Sequence, residues 1–154
     1  MAKVLIVYAS RIGNTRTIAE FIAEGLRDKG AEVKLTDVND VKSEADFEGY
    51  DAYLFGSATY HGEMMPSMKQ MLFIAERAKL SGKAGGAFGS YGWSGEAPQR
   101  IYDTMKNLYR MNMVDSALRV QVPARPELLE KVSYDYGSKL MNKINSGSGS
   151  VQMN

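Results

Sequence analysis

The chain has 154 residues, a formal net charge of +1, one histidine and no cysteine. That length fits one domain with its own core, and the composition excludes disulfides, iron–sulfur ligation, thiol chemistry and a histidine-rich metal site. The near-neutral balance gives no reason to expect nucleic acid, no apolar run is long enough to span a membrane, and no signal peptide precedes the first strand, so the expected location is cytoplasmic.

Val4-Leu5-Ile6-Val7-Tyr8 is an unbroken apolar run and predicts a strand near 3–8, covered on both faces. Ser10-Arg11-Ile12-Gly13-Asn14-Thr15 follows and leads into a helix near 15–29, in which Ile18, Ile22 and Leu26 recur at spacing four. A loop of this composition at a helix N-terminus suits a phosphate, because the first backbone N–H groups lack partners and carry partial positive charge. The hydroxyls of Ser10 and Thr15 and the amide of Asn14 add donors. Arg11 is the only charge, and a loop arginine usually points to water. The stretch lacks Gly-Lys-Ser/Thr and the Gly-x-Gly-x-x-Gly spacing, which argues against triphosphate hydrolysis and a dinucleotide site. Taken alone, it reads equally well as a strand–helix turn capped by Asn14 or Thr15.

The second strand, near 31–36, alternates polar and apolar residues, and a short helix is expected near 41–48. A third strand near 51–56 is apolar throughout. A helix near 67–80 follows, then another apolar strand near 84–89 and a helix near 97–111. A fifth strand near 117–122 alternates. Pro126 opens a last helix near 126–145, with a stripe of Leu129, Val132, Tyr136, Leu140 and Ile144. Residues 1–145 form the expected domain, and 146–154, which begins Ser-Gly-Ser-Gly-Ser, is expected to be a flexible tail.

Alternating strands and helices predict an α/β fold with a parallel sheet. The alternating second and fifth strands belong at its edges. Right-handed crossovers then give a doubly wound five-stranded sheet of order 2-1-3-4-5, with helices on both faces. In such a sheet ligands bind beyond the carboxyl ends of the strands, where the order reverses between strands one and three. Two further loops reach that rim. Gly56-Ser57-Ala58-Thr59-Tyr60-His61-Gly62-Glu63 follows strand three, and Gly89-Ser90-Tyr91-Gly92-Trp93-Ser94-Gly95-Glu96 follows strand four. Both combine glycines, which let a ligand approach the backbone, with flat aromatic faces. A phosphate cradle beside an aromatic slot describes a phosphorylated planar cofactor.

These three loops resemble those of flavodoxins and, more closely, of the flavodoxin-like domain of flavodiiron proteins. Ser10-x-x-Gly13-Asn14-Thr15 is similar to the phosphate loop for FMN (flavin mononucleotide). Ser57-x-Thr59-Tyr60-x-Gly62 is similar to the second flavin loop. Gly89-Ser90-Tyr91-Gly92-Trp93-Ser94-Gly95-Glu96-Ala97 is similar to the flavodiiron form of the third. The resemblance implies that Ser10, Ile12, Gly13, Asn14 and Thr15 hold the phosphate, with Arg11 contributing at least its backbone. It implies that Thr59, Tyr60, His61 and Gly62 border the flavin ring, with Ser57 and Ala58 in the same loop. Ser90, Tyr91, Gly92 and Trp93 would bind the ring's pyrimidine side or stack on it, with Gly95 completing that loop. Tyr60 and Trp93 are the leading stacking candidates, unranked against Tyr91. In the family a glycine peptide of the second loop turns so that its carbonyl meets reduced N5. Here that peptide is His61-Gly62 or Gly62-Glu63, and glycine should make the turn cheap.

The chain departs from the family pattern in being near neutral rather than acidic, and in carrying Ala58 and His61 in the second loop. Glu63 and Glu96 are either solvated or raise the cost of reducing the flavin. Met64 and Met65 are candidates for partner docking, whereas Met68 and Met71 belong to a core stripe. The implied function is an electron carrier between a donor and an acceptor redox protein, without nucleic acid or membrane insertion, and with no assigned oligomeric state. No metal ligand or catalytic residue is assigned. The alternatives are an FMN-dependent NAD(P)H:quinone or flavin reductase, and the excised flavodoxin domain of a flavodiiron-type enzyme. A phospho-receiver domain is disfavoured, because Phe55-Gly56-Ser57 stands where it needs an aspartate.

Overall fold

In the computed structural model, residues 1–153 are described in backbone and residues 1–146 in side-chain surroundings. The expected tail, 146–154, lies outside those fully described residues except for Ser146. The core begins with β1 (Lys3–Ala9), buried along all but its first residue. Parallel β2 (Glu32–Asp37) flanks it on one side and β3 (Ala52–Ser57) on the other. β3 is hidden on both faces, while β2 is half-exposed, as its alternating sequence requires of an edge.

Loop two contains an unexpected antiparallel hairpin, β4 (Thr59–Tyr60) and β5 (Glu63–Met64). The main sheet resumes with β6 (Ala84–Tyr91), which pairs in parallel with β3. The fifth position is filled by two short strands, β7 (Asn112–Met113) and β8 (Leu118–Gln121), each parallel to β6. The order is β2-β1-β3-β6 and then β7 with β8, which is the expected doubly wound topology with its last strand interrupted.

Tyr136 fills that interruption. β7 pairs with Ala84 and Gly85, and β8 with residues from Phe88 onward. Between them the Ala87 N–H donates to the Tyr136 hydroxyl at 3.1 Å, and that hydroxyl donates to the Ser116 carbonyl at 2.7 Å. Buried backbone groups need partners, and a side chain from a helix stands in for the missing strand residue. Burial raises the Tyr136 hydroxyl above the ordinary tyrosine value.

Helices α1 (Asn14–Asp28) and α4 (Pro126–Met153) cover one face of the sheet, and α2 (Pro66–Glu76) and α3 (Glu96–Asp103) the other. Ile18, Ile22 and Leu26 are fully buried, and Tyr136 and Leu140 join them, so both expected stripes face the core. A π-helical turn, Thr104–Leu108, prolongs α3. The helix expected near 41–48 is instead two 3₁₀ turns, Val38–Asp40 and Glu44–Phe47. Asp37 closes the first turn, and Ser43 with Asp46 forms a capping box on the second. Two caps within ten residues leave no length for a continuous helix.

The helix pair α1–α4 is packed through glycine. A Cβ on Gly25 would stand 2.3 Å from the Tyr134 carbonyl oxygen, and one on Gly137 would stand 2.4 Å from that of Ile22. On the opposite face the hydroxyls of Tyr53, Tyr102 and Tyr109 donate to the carbonyls of Phe47, Val114 and Leu72. Each aromatic thus carries its polar end into the core already paired.

Candidate functional site

The loops after β1, β3 and β6 meet at the carboxyl edge of the sheet. Gly13 takes the left-handed conformation, with φ of 97°, and its N–H donates to Ser10 Oγ at 2.9 Å. That turn opens α1, which has neither a side-chain cap nor an acidic residue in its first turn. Its leading N–H groups are therefore free to meet an anion. A Cβ on Gly13 would meet nothing within 4 Å, so that side of the turn is open.

The hydroxyls of Thr15 and Ser90 are both buried and lie 2.8 Å apart. They tie loop one to loop three, so these two side chains serve the scaffold first. Ser57 is buried too, and its hydroxyl donates to the Ala58 carbonyl and accepts from the Met65 N–H. It pins both ends of loop two. The Thr59 hydroxyl accepts from the Ala97 N–H at 3.1 Å and so caps α3 from a neighbouring loop. α3 needs that help because its own N-cap residue is Gly95. Gly95 in turn makes room for an aromatic, since a Cβ there would press 2.9 Å from the Tyr91 ring.

The large rim side chains stand out in solvent. Ile12 is 83% exposed, Tyr60 40% and Trp93 96%. Arg11 is exposed, as expected, and its guanidinium lies 4.3 Å over the Tyr60 ring in a cation–π contact. The His61 ring meets the other side chain of that pair edge-on, 4.2 Å from Tyr60. Thr59, His61, Gly62, Trp93 and Ser94 line a cavity of about 270 Å³. A larger hollow of about 840 Å³ lies at the opposite edge, beside Ala2, Asp51 and Lys83, which precede β1, β3 and β6. Parallel sheets seat ligands at the other end of their strands, and the three loops are there.

Glu63 is a fixed point beneath the hairpin. It accepts from the Met64 N–H at 3.1 Å and pairs with Lys69 at 3.3 Å and Arg100 at 3.6 Å. Partial burial pulls its carboxyl upward, but the amide and the two cations outweigh that and hold it below the ordinary value. Glu96 points its Oε2 towards Gly62, and its Oε1 is buried without a hydrogen-bond partner. Neither carboxylate is merely solvated.

One expectation changes. Met64 is buried in the core with Met68 and Met71, and Met65 packs against them, so the methionine run is structural rather than a docking patch. The hairpin escaped notice because its strands have two residues each and its turn reads His-Gly, not the usual Asn-Gly. Among the described residues no helix is long and apolar enough to cross a membrane, and no group of His, Asp and Glu is placed to hold a metal ion.

The sequence pattern of the Flavodoxin family matches residues 6–133. A flavodoxin from Clostridium beijerinckii is 33% identical over 138 residues, which is 89% of this chain and 98% of that protein. The structure of a flavodoxin from the domain Archaea superposes with a TM-score of 0.86 at 31% identity, over 93% of this chain and 99% of that one. The flavodiiron protein from Giardia intestinalis superposes with a TM-score of 0.85 at 25% identity, over 94% of this chain and 36% of that one. An uncharacterized protein from Methanocaldococcus jannaschii is 36% identical over 141 residues, which is 90% of this chain and 36% of that protein. The chain thus covers nearly the whole length of these two flavodoxins and about a third of the two longer proteins.

Proposed function

The chain belongs to the flavodoxin family, and from that premise we propose that it passes one or two electrons at a time between a donor and an acceptor redox protein. FMN is the cofactor of this family and electron transport its work. The observation that carries the reading is the bare rim: Ile12, Tyr60 and Trp93, one from each loop, stand exposed around the start of α1. Water-soluble folds leave such groups uncovered together where a ligand or partner covers them.

The residues present fit FMN. The uncapped first turn of α1, the Ser10–Gly13 turn and the open space beside Gly13 suit a terminal phosphate held mainly by neutral donors. Thr15 and Ser90 hold the phosphate loop against β6, so that its N–H groups stay aimed. Tyr60 and Trp93 offer faces for the ring, and Gly92 leaves its backbone accessible beside them. Bound FMN supplies the group that takes up and releases electrons; the protein orients it, limits water and sets its potential. Glu96 sets a carboxylate beside Gly62, and a carboxylate close to the ring opposes its reduction, whereas the charge of Glu63 is balanced by Lys69 and Arg100. Near-neutral overall charge leaves partner choice to the shape and apolar character of the rim. The reading includes a cytoplasmic location for this work.

A second reading, that the chain is one domain of a flavodiiron-type enzyme, is favoured by the one-third coverage of the two longer proteins. The visible spectrum of the purified protein, followed by FMN addition to the apoprotein and reductive titration, tests the main reading. Flavin bands with reversible reduction are expected. No bands and no FMN uptake would remove it, and steady NADH consumption by the protein alone would favour a reductase instead.

A further inference from the structure

We propose that His61 locks the peptide it shares with Gly62 in one orientation, so that this chain presents the same carbonyl and N–H to its cofactor whatever the redox state. The inference deepens the FMN reading above and rests on it.

The hairpin fixes the frame. Thr59 pairs with Met64 and Tyr60 with Glu63, which leaves His61 and Gly62 as a two-residue turn. Their φ angles are +51° and +74°. Positive φ at both central positions is the type I′ turn. If the strands stay in place, the central peptide has one alternative, the type II′ turn, reached by rotating that peptide about its own axis. This rotation changes ψ of the first central residue together with φ of the second. The second residue is Gly62 and moves freely. The first must hold positive φ with an extended ψ, a region in essence reserved for glycine. Here the first residue is His61. Histidine tolerates the left-handed helical region that it occupies, but its Cβ obstructs the region it would have to enter.

The freedom that glycine gives therefore sits on the wrong side of the peptide. A Gly-His order would allow both turns; the His-Gly order allows one. This reverses the expectation drawn from Gly62 alone. The next peptide, Gly62–Glu63, is no escape. Rotating it changes φ of Glu63, whose backbone pairs with Tyr60 and whose carboxylate is held by Met64, Lys69 and Arg100. The His61 ring itself meets Tyr60 edge-on, and the Tyr60 ring also carries the Arg11 guanidinium. His61 is thus a positioning residue: it acts through the peptide.

The test compares wild type with His61→Gly and His61→Asn. Asparagine accepts the left-handed helical region as histidine does, but not the type II′ position, so it separates the lock from the loss of the imidazole. In the FMN-loaded proteins the gap between the two one-electron reduction potentials is measured. His61→Gly should change the equilibrium constant that links the two steps by about tenfold, a change in the gap of about 59 mV. His61→Asn loses the imidazole but keeps the lock, so its gap should move less than that of His61→Gly. An unchanged gap in His61→Gly, or the same change in both variants, overturns the proposal. A second readout needs no cofactor. In the apoproteins, the amide-to-amide nuclear Overhauser contact between residues 61 and 62 should be present in wild type and His61→Asn and weakened in His61→Gly. Equal contacts in all three overturn the lock. Failure to take up FMN would instead reject the functional reading, with the apoprotein contacts still judging the turn.

Discussion

Glycine has opposite uses at two places in this molecule. Between α1 and α4, Gly25 and Gly137 are there because the partner helix's backbone fills the place of a side chain. At the carboxyl rim, Gly13 faces nothing within 4 Å and is there because its φ is positive. One region has been packed until no atom can be added. The rim has exposed aromatic side chains and a helix start with no side-chain cap. Tight packing holds α1 in place while its first turn carries no side-chain cap, which is the arrangement the proposed phosphate site needs.

Substitutions should separate the two regions. The largest effect on folding belongs to Gly137→Ala, whose new methyl group meets the Ile22 carbonyl. Forcing the helices apart should cost about 3 kcal/mol in chemical denaturation, with the better helix propensity of alanine offsetting about 1 kcal/mol of the clash. Tyr136→Phe comes next. It strands the Ala87 N–H and the Ser116 carbonyl in the sheet gap, and urea unfolding should show a loss of about 1–3 kcal/mol. Gly13→Val strains a left-handed position in open space and should cost about 1–2 kcal/mol of stability, yet weaken FMN binding at least tenfold, which a titration of the apoprotein would measure. A clash-sized stability loss in Gly13→Val, or an unchanged affinity, would erase the contrast between the regions.

Alkaline titration probes the buried tyrosines on both faces of the sheet. Burial raises the hydroxyls of Tyr53, Tyr102, Tyr109 and Tyr136 above the ordinary value near 10. Each is kept neutral by the fold and ionises more readily in the unfolded chain. The contribution is complete below pH 10 and declines above it, as the unfolded state releases protons that the folded state retains. Unfolding free energy should fall above pH 10 by up to about 1.4 kcal/mol per pH unit for each such group. Stability that stays flat from pH 10 to 11 contradicts this burial.

The packed region was the more legible from sequence. Two alternating strands among three apolar ones sufficed to place the edges, and stripes such as Ile18-Ile22-Leu26 sufficed to turn the helices inward. The resemblance of three loops to flavodoxins and flavodiiron proteins is matched by the family and its solved structures. What escaped the sequence depends on contacts between distant residues. Nothing near residue 115 announces that Tyr136 will replace part of a strand, and nothing near Gly95 announces that Thr59 will cap its helix. Met64 looked available for docking because its burial depends on α2 and α3 closing over the hairpin. Gly62 looked like a free hinge because the constraint lies on its neighbour.

Trp93 offers the most direct measurement, since it is the only tryptophan and stands on the rim. Its fluorescence should be quenched on titrating the apoprotein with FMN, in step with loss of flavin fluorescence and saturating at one FMN per chain. In Gly13→Val the same quenching should require at least tenfold more FMN. Tryptophan emission that ignores FMN, while the fold stays intact by circular dichroism, would contradict the assignment of the three loops as the cofactor site.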